Sequence, residues 1–331
     1  MTKILMAAAL SAACAMASEK NAATDWMPEA KVGAFMHFLP GASNFAQVEA
    51  FDVQAVAKQL ADSGVGYFVF TLGQNSGYMN APNAAYDARA GFKAGERCTT
   101  RDLPAELAAA LKPHGIRFML YLPCQTPNRD LQAIKAFGAP EEPLNKDRKI
   151  DLAFAEKWAQ VIREWSDRYG ETVSGWWFDG GYQWVGMNDA IAKLYAEAAK
   201  HGNPKSVVTF NPGVSLKRWT AAEDYTAGEL NEPFAHACEG RWLDGSQWHV
   251  LTFLGKTWGK RDTRYTDAQW CAWVGAVTAK GGCVTLDLGP NYDAKAGPVG
   301  TCDEAQLRQL KAIVKADRKS TRLNSSHGYI S

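Results

Sequence analysis

The sequence predicts one (β/α)₈ barrel of the TIM type, in the α/β class, and three observations favour this fold. Short runs of apolar, β-branched or aromatic residues alternate with longer segments of helical period along most of the 331 residues. Eight such runs follow one another with no long structureless linker between them. No Gly-x-Gly-x-x-Gly motif follows the first run, as a dinucleotide-binding sheet would require. Eight alternating units in this length favour a closed barrel over an open sheet.

The N-terminal residues predict a signal peptide over 1–17. Lys3 precedes an apolar stretch that extends to Met16, and small residues precede the expected cleavage site. The stretch is too short and too lightly flanked for a spanning helix, so we expect export to the periplasm or out of the cell. A lipid anchor at Cys14 is the alternative, although the nearest leucine, Leu10, lies one position too far upstream for lipoprotein cleavage.

The C-terminal residues 318–331 resemble read-through into a sequencing adapter, with RKSTRLNSSH as the recognisable part. We therefore expect a barrel domain over 18–317, and we expect the natural chain to continue past Asp317 into sequence that is lost here. Removing both ends takes away four of the 36 basic residues and none of the 35 acidic ones, which moves the formal net charge from +1 to −3. This balance indicates neither a nucleic-acid partner nor an anionic membrane surface, and no later apolar run is long enough to span a bilayer.

The apolar runs predict eight parallel strands, of which the sixth is the weakest. They are 33–39, 66–72, 116–122, 175–179, 206–211, 225–229, 249–254 and 283–288. Helical periodicity predicts six intervening or closing helices. They are 52–63, 103–112, 151–169, 189–201, 266–280 and 303–314. Such alternation implies right-handed crossovers between neighbouring parallel strands.

Active sites of this fold lie where the strands end, at their carboxyl termini. Reading only those positions gives a ring of polar side chains: His37, Gln74, Asn75, Tyr121, Asp179, Asn211, Glu229 and Asp287. A pair of acids across one barrel mouth is what glycosidic cleavage needs, because one attacks or stabilises the sugar while the other protonates the leaving oxygen. The sequence therefore favours a sugar-cleaving site.

Asp179 is the strongest single candidate in this ring. It ends the apolar run 174–179, and Gly180 and Gly181 follow it directly. An aspartate at the end of a buried strand also caps turns, so the motif alone leaves both interpretations open. Aromatic residues support the interpretation of Asp179 as a catalytic group, because we expect many of them in the loops around the mouth of the barrel. These are Phe38, Tyr78, Trp177, Trp184, Trp219, Trp242, Trp248 and Trp258. Core packing is the alternative for each single tryptophan.

From about Trp26 to Lys315 the chain resembles the catalytic barrel of the α-L-fucosidase family, family 29 of the glycoside hydrolases. The segment 31–37 is similar to the family's first strand, which ends in a sugar-binding histidine, and 177–180 is similar to its nucleophile strand. The segment 224–229 resembles the one that carries an acid/base glutamate in several members. Further likenesses are Asn211-Pro212, the segment 248–259, and 281–291 at the last strand.

The resemblance implies a retaining, exo-acting glycoside hydrolase without a cofactor or metal, acting on an oligosaccharide or glycoconjugate. Asp179 inherits the role of nucleophile and Glu229 that of acid/base. The implied sugar-binding residues are His37, Gln74, Asn75, Tyr121, Trp177, Asn211 and Trp258.

The chain departs from the family pattern in the sugar pocket. His37-Phe38-Leu39 stands where the family reads His-Trp-Gly, and Gln74 and Asn75 stand where it has paired histidines. Gln and Asn exchange hydrogen bonds with hydroxyls, but they do not titrate near neutrality. These departures predict an altered sugar pocket on a conserved barrel.

Three alternatives remain open at the level of sequence. Glu232, Glu223 and Glu49 are rival acids, because loop positions are not ranked by sequence. A catalytically silent carbohydrate-binding barrel would keep the aromatic mouth and lose the second acid. A metal-dependent hydrolase is disfavoured, because the six histidines show no His-x-His or His-x-x-x-His spacing.

Overall fold

The computed structural model describes residues 21–39, 45–125, 127–142 and 147–327, with side chains up to residue 319. The predicted signal peptide and Cys14 lie outside this range. The strands are β1 (Val32–Met36), β2 (Tyr67–Thr71), β3 (Arg117–Pro123), β4 (Val173–Asp179), β5 (Val207–Phe210), β6 (Trp242–Leu243), β7 (Ser246–Gln247), β8 (His249–Phe253) and β9 (Cys283–Leu288). The α-helices are α1 (Trp26–Ala30), α2 (Ala46–Glu49), α3 (Val53–Ser63), α4 (Ala84–Ala90), α5 (Leu103–Leu111), α6 (Leu131–Phe137), α7 (Leu152–Tyr169), α8 (Asp189–Ala199), α9 (Asp267–Ala279) and α10 (Glu304–His327).

Seven parallel strands form one curled sheet in the order β5-β4-β3-β2-β1-β9-β8. Their carboxyl ends therefore meet at one edge, as the barrel prediction requires. The remaining strands, β6 and β7, form a short antiparallel hairpin before β8. The predicted fold class is confirmed.

The prediction of a regular sixth strand over 225–229 is wrong. Tyr225 and Glu229 make single parallel bridges to Gln247 and Leu251. On the other side, the Asp224 amide donates to a β5 carbonyl at 2.9 Å, so the segment still joins β5 to β8. Gly228 explains the irregularity, because its φ is +60° and an added Cβ would lie 2.0 Å from a β8 carbonyl oxygen.

The long predicted helices are confirmed, and their caps show why they begin where they do. Asp52 and Asp151 each accept a backbone N–H from the first turn of α3 and α7. Thr266 and Gln269 form a reciprocal capping box at the start of α9. The prediction missed the short helices α4 and α6, which have seven residues each and lie within the loops after β2 and β3.

Apolar side chains pack in two layers around the sheet. The outer layer lies between the strands and the helices, where Trp158 and Trp165 of α7 are fully buried. The inner layer fills the barrel with large side chains such as Phe35, Tyr121 and Trp177. Strands buried on both faces account for the continuous apolar runs in the sequence. The six cysteines of the described part are free thiols.

A polar chain also crosses the barrel interior below its mouth. His249 of β8 contacts the Thr285 hydroxyl through Nε2 at 2.7 Å and the Thr226 carbonyl through Nδ1 at 2.9 Å. The Tyr67 hydroxyl shares the same threonine at 2.7 Å. Burial lowers the pKa of His249 to about 4, so the ring is neutral at physiological pH.

Candidate active site

A cavity of about 200 Å³ opens at the carboxyl ends of the strands. This is smaller than the roughly 300–1,000 Å³ of drug-sized pockets, and suits a single small ring. Its lining residues come from six positions around the barrel: His37, Gln74, Tyr121, Trp177, Asp179, Tyr182, Glu229, Leu251 and Trp258.

The carboxylate of Asp179 is held by three donors at the end of β4. The Tyr121 hydroxyl donates to Oδ2 at 2.7 Å, while the Gly180 amide and the Asn211 side-chain amide donate to Oδ1 at 2.8 and 2.9 Å. Burial, together with the neighbouring Asp179 carboxylate, keeps the pKa of Tyr121 well above its usual range. Tyr121 therefore stays protonated and donates to the acid. Three hydrogen bonds to its two oxygens fix the orientation of the Asp179 carboxylate.

Asn211 links Asp179 to the second acid. Its Nδ2 also donates to Oε2 of Glu229 at 2.5 Å, and its Oδ1 accepts from the Gly213 amide, which fixes the orientation of the side chain. The two acceptor oxygens lie 2.9 Å and 2.5 Å from one nitrogen. Their separation therefore cannot exceed the sum of these distances, about 5.4 Å.

Asp287 orients the histidine on the other side of the cavity. Its Oδ1 lies 3.1 Å from Nδ1 of His37, and its Oδ2 accepts the Gly259 amide at 2.6 Å. The Tyr292 hydroxyl donates to the His37 carbonyl at 2.8 Å. With Nδ1 committed to Asp287, Nε2 is the ring nitrogen left for a ligand. Asp287 thus holds His37 and the Gly259 backbone in place and is not among the residues that line the cavity.

Aromatic rings form the walls of the cavity. Trp177 and Tyr121 are neighbours across β3 and β4, and their rings stack 5.5 Å apart at 15°. Trp258 lies edge-on to His37 at 5.6 Å. Tyr182 closes the side nearest the acids, and burial with the charges of the two acids raises the pKa of its hydroxyl. Flat apolar faces of this kind suit the C–H surfaces of a sugar ring.

The structure brings most of the predicted site residues to this cavity, with two exceptions. Asn75 lies beside it, and its amide donates to the Gln74 side chain at 2.9 Å. Asn211 is fully buried behind the acids and uses both amide hydrogens on them, so it does not line the cavity as a sugar-binding group would. The prediction did not include Tyr182 and Leu251 among the site residues.

The rival acids lie elsewhere. Glu49 is exposed on α2 and Glu232 accepts the Tyr265 hydroxyl at the surface. Glu223 is buried behind β5, where the amides of Phe210 and Trp219 donate to it, and burial raises its pKa to about 7. Of the four glutamates considered, Glu229 is the one that lines the cavity with Asp179.

The expected aromatic cluster is partly wrong. Trp242 and Trp248 come before β8, and Arg241 beside them bonds to Asp25 ahead of β1. Because the chain enters the strands at that end, these tryptophans lie opposite the mouth. Burial of Trp248 against Gly282 shows core packing instead.

No group of three or more His, Cys, Asp and Glu side chains in the described ranges is placed to hold a metal ion. No helix in the described part of the chain has the length and apolar character needed to cross a bilayer.

Comparison with known proteins identifies related sequences and folds. A family model described as Alpha-L-fucosidase matches residues 42–316. No curated protein gives a significant match. The α-L-fucosidase AlfC from Lactobacillus casei, solved with its α-L-fucose product, is 17% identical over 91% of this chain and 99% of that chain, with a TM-score of 0.62.

Endo-acting enzymes share the fold as well. The endo-fucoidan hydrolase MfFcnA4 of glycoside hydrolase family 107 is 16% identical over 89% of this chain, with a TM-score of 0.67. The chain spans 53% of the length of that protein and 63% of the related MfFcnA9. A bacterial fucosidase with an iminocyclitol inhibitor is 17% identical over 90% of this chain and 74% of that chain, with a TM-score of 0.63.

Proposed function

The chain belongs to the α-L-fucosidase family, and we propose that it is an exported, retaining, exo-acting glycoside hydrolase. Its substrate would be a glycan or glycoconjugate that ends in fucose or a related sugar. The observation that carries this proposal is the pair of carboxylates, Asp179 and Glu229, facing one small cavity and joined by the Asn211 amide.

The spacing of the acids supports retention of configuration. Retaining glycosidases hold their two carboxyl groups about 5–5.5 Å apart, whereas inverting ones leave about 6.5–9.5 Å for a water molecule. The oxygens of Asp179 and Glu229 that Asn211 binds are at most about 5.4 Å apart, which supports the shorter, retaining spacing.

The contacts of Asp179 support the role of nucleophile, which leaves the role of acid/base to Glu229. Asp179 has donors on both oxygens, which hold its carboxylate in one orientation for attack on the anomeric carbon. Glu229 would give its proton to the leaving oxygen as the bond to the anomeric carbon forms on Asp179. In the second step Glu229 would take a proton from water, which then displaces the sugar from Asp179.

The size of the cavity supports exo action. A volume of about 200 Å³, lined by His37, Gln74 and Trp258 as well as the two acids, suits one sugar ring. Gln74 already donates to the Tyr121 hydroxyl at 2.8 Å and accepts the Asn75 amide. The Gln74 side chain therefore has one N–H left for a sugar hydroxyl. A pocket with this single donor would bind sugar hydroxyls differently from a pocket with paired histidines.

Mechanism-based labelling tests the proposal. A 2-deoxy-2-fluoro-α-L-fucosyl fluoride should leave a stable glycosyl ester on Asp179, which peptide mass spectrometry would locate. The corresponding 2-deoxy-2-fluoro glycosyl fluorides of other sugars extend the test to other substrates. NMR of the anomer that is released first shows whether the configuration at the anomeric carbon is retained. Labelling of another carboxylate, or an inverted product, would contradict the proposal.

A further inference from the structure

Trp184 lies exposed at the edge of the candidate active site. Its ring stacks on that of Tyr182 at a centroid distance of 4.3 Å and an angle of 6°, and 56% of its surface is exposed. Tyr182 itself lines the cavity beside the two acids. One face of Trp184 is thus backed by a cavity wall, and the other is open to solvent.

The turn that carries Trp184 is firmly anchored. Gln183–Val185 form a 3₁₀ turn in which Val185 is buried and its carbonyl accepts the Ile150 amide at 2.8 Å. Gly186 then packs so closely that an added Cβ would lie 2.1 Å from the Ile150 carbonyl oxygen. The exposure of Trp184 is therefore set by an ordered backbone, since the ring is held outward on a fixed support.

A second apolar side chain flanks the same wall. Val214 is 55% exposed and follows Gly213, where an added Cβ would lie 3.7 Å from the Tyr182 ring. Four large hydrophobic side chains are exposed in the described part of the chain, and Trp184 and Val214 are the two most exposed. Trp184 stacks on Tyr182, and Val214 directly follows the glycine beside it, so the two most exposed hydrophobic side chains flank the same wall of the cavity.

We propose that Trp184, backed by Tyr182, binds the leaving-group sugar directly outside the cavity. This rests on the proposed function, because the cavity takes one ring and the bond to be cleaved lies at Asp179 and Glu229. Tyr182 lies beside both acids, so a ring that extends from the cavity past Tyr182 would meet the open face of Trp184. A gluco-configured ring, such as glucose or N-acetylglucosamine, fits best, because its equatorial hydroxyls leave C–H groups on both faces for an aromatic plane.

Two substrates separate this subsite from the catalytic step. α-L-Fucosyl fluoride has no leaving-group ring, whereas fucosyl-α(1,6)-N-acetylglucosamine has one. Trp184→Ala should lower kcat/KM for the disaccharide about tenfold or more and change kcat/KM for the fluoride less than about twofold. Trp184→Phe, which keeps an aromatic plane, should retain most of the activity on the disaccharide.

The matched control is Trp242→Ala, which removes a partly exposed tryptophan from the opposite end of the barrel. It should leave both substrates unaffected. An equal loss on the fluoride and the disaccharide, or no loss on either, would overturn the assignment of Trp184.

Failure of the proposed function gives a different result. If the wild-type protein hydrolyses neither these two compounds nor glycosyl fluorides of related sugars, the catalytic proposal fails, and the subsite is then judged by binding alone. Saturation-transfer NMR with N-acetylglucosamine should show contact to the wild-type protein and to the Trp242→Ala variant, with loss in Trp184→Ala. Absence of binding, or binding unchanged by Trp184→Ala, would overturn the subsite as well.

Discussion

Asp179 and Glu229 are joined by a single amide group that donates one hydrogen bond to each carboxylate. The amide belongs to Asn211, which follows β5 and is fully buried behind both acids. Its carbonyl oxygen is fixed by the Gly213 amide, so the side chain has one orientation. Asn211 is therefore a positioning residue, since it sets the distance between the acids without itself lining the cavity.

Removing this bridge should slow the reaction without unfolding the barrel. We expect Asn211→Ala to lower kcat about 10²-fold, because prearranged donors at a charged centre contribute on this scale. Asn188→Ala is the matched control: Asn188 caps α8, so its loss should lower the melting temperature and leave kcat unchanged. Equal kinetic effects of the two variants would contradict the role of Asn211.

Asp179→Ala should lower turnover by several orders of magnitude, because it removes the group that would form the glycosyl-enzyme. Added azide or formate should restore part of the activity by entering the space of the missing carboxylate. Rates with and without azide, measured on a nitrophenyl glycoside, check this expectation. Near-normal activity of the variant would show that another residue is the nucleophile.

Glu229→Gln should affect substrates according to their leaving groups. General acid assistance contributes about 10²- to 10⁴-fold for a sugar leaving group, and little for fluoride, which leaves without protonation. The ratio of kcat/KM for disaccharide to that for glycosyl fluoride should therefore collapse. Glu232→Gln, which alters a surface acid bonded to Tyr265, should leave that ratio as in the wild type. A collapse in Glu232→Gln instead would transfer the acid/base role to that residue.

The sequence predicted well where the strands end, but it did not predict which side chains contact each other at the site. Asp179 and His37 could be found because a buried run ends at or just before each, and parallel strands bring such ends together. The burial of Asn211 was not predictable, because it depends on Glu229 approaching from an irregular segment. That segment is irregular because Gly228 packs against β8, a long-range contact that leaves no local pattern. The position of Tyr182, three residues after Asp179, was a sign that it lies near the site. A loop sequence, however, does not show in which direction an aromatic ring points.

His249 should make the stability of the barrel depend on pH. Its pKa is about 4 in the folded protein, against an ordinary value near 6.5, because the ring is buried. Between these values the unfolded chain binds more protons, so stability is lost as pH falls from about 6.5 to 4. The full loss is up to about 3 kcal/mol.

Chemical denaturation at several pH values checks this, with His249→Gln compared with the wild type. The variant should lose the His249 contribution to the slope. Buried Glu223, with its pKa raised to about 7, acts in the opposite sense over an overlapping range, so the difference between the two proteins is the informative quantity. Parallel pH profiles for the two proteins would contradict the assignment to His249.

Simple α-L-fucosides should be poor substrates of the wild-type protein. The resemblance implies paired histidines where this chain has Gln74 and Asn75. In the structure the Gln74 side chain donates one hydrogen bond to Tyr121 and accepts one from the Asn75 amide. A sugar whose hydroxyls do not match such a pocket leaves buried polar groups unpaired, at roughly 1 to 3 kcal/mol each. Two mismatches amount to about a hundredfold or more in kcat/KM. A panel of nitrophenyl glycosides that includes α-L-fucoside and galactosides measures this directly, and we expect a modified or different sugar to be preferred. Efficient turnover of nitrophenyl α-L-fucoside would instead show that one N–H of Gln74, with His37, is enough to recognise fucose.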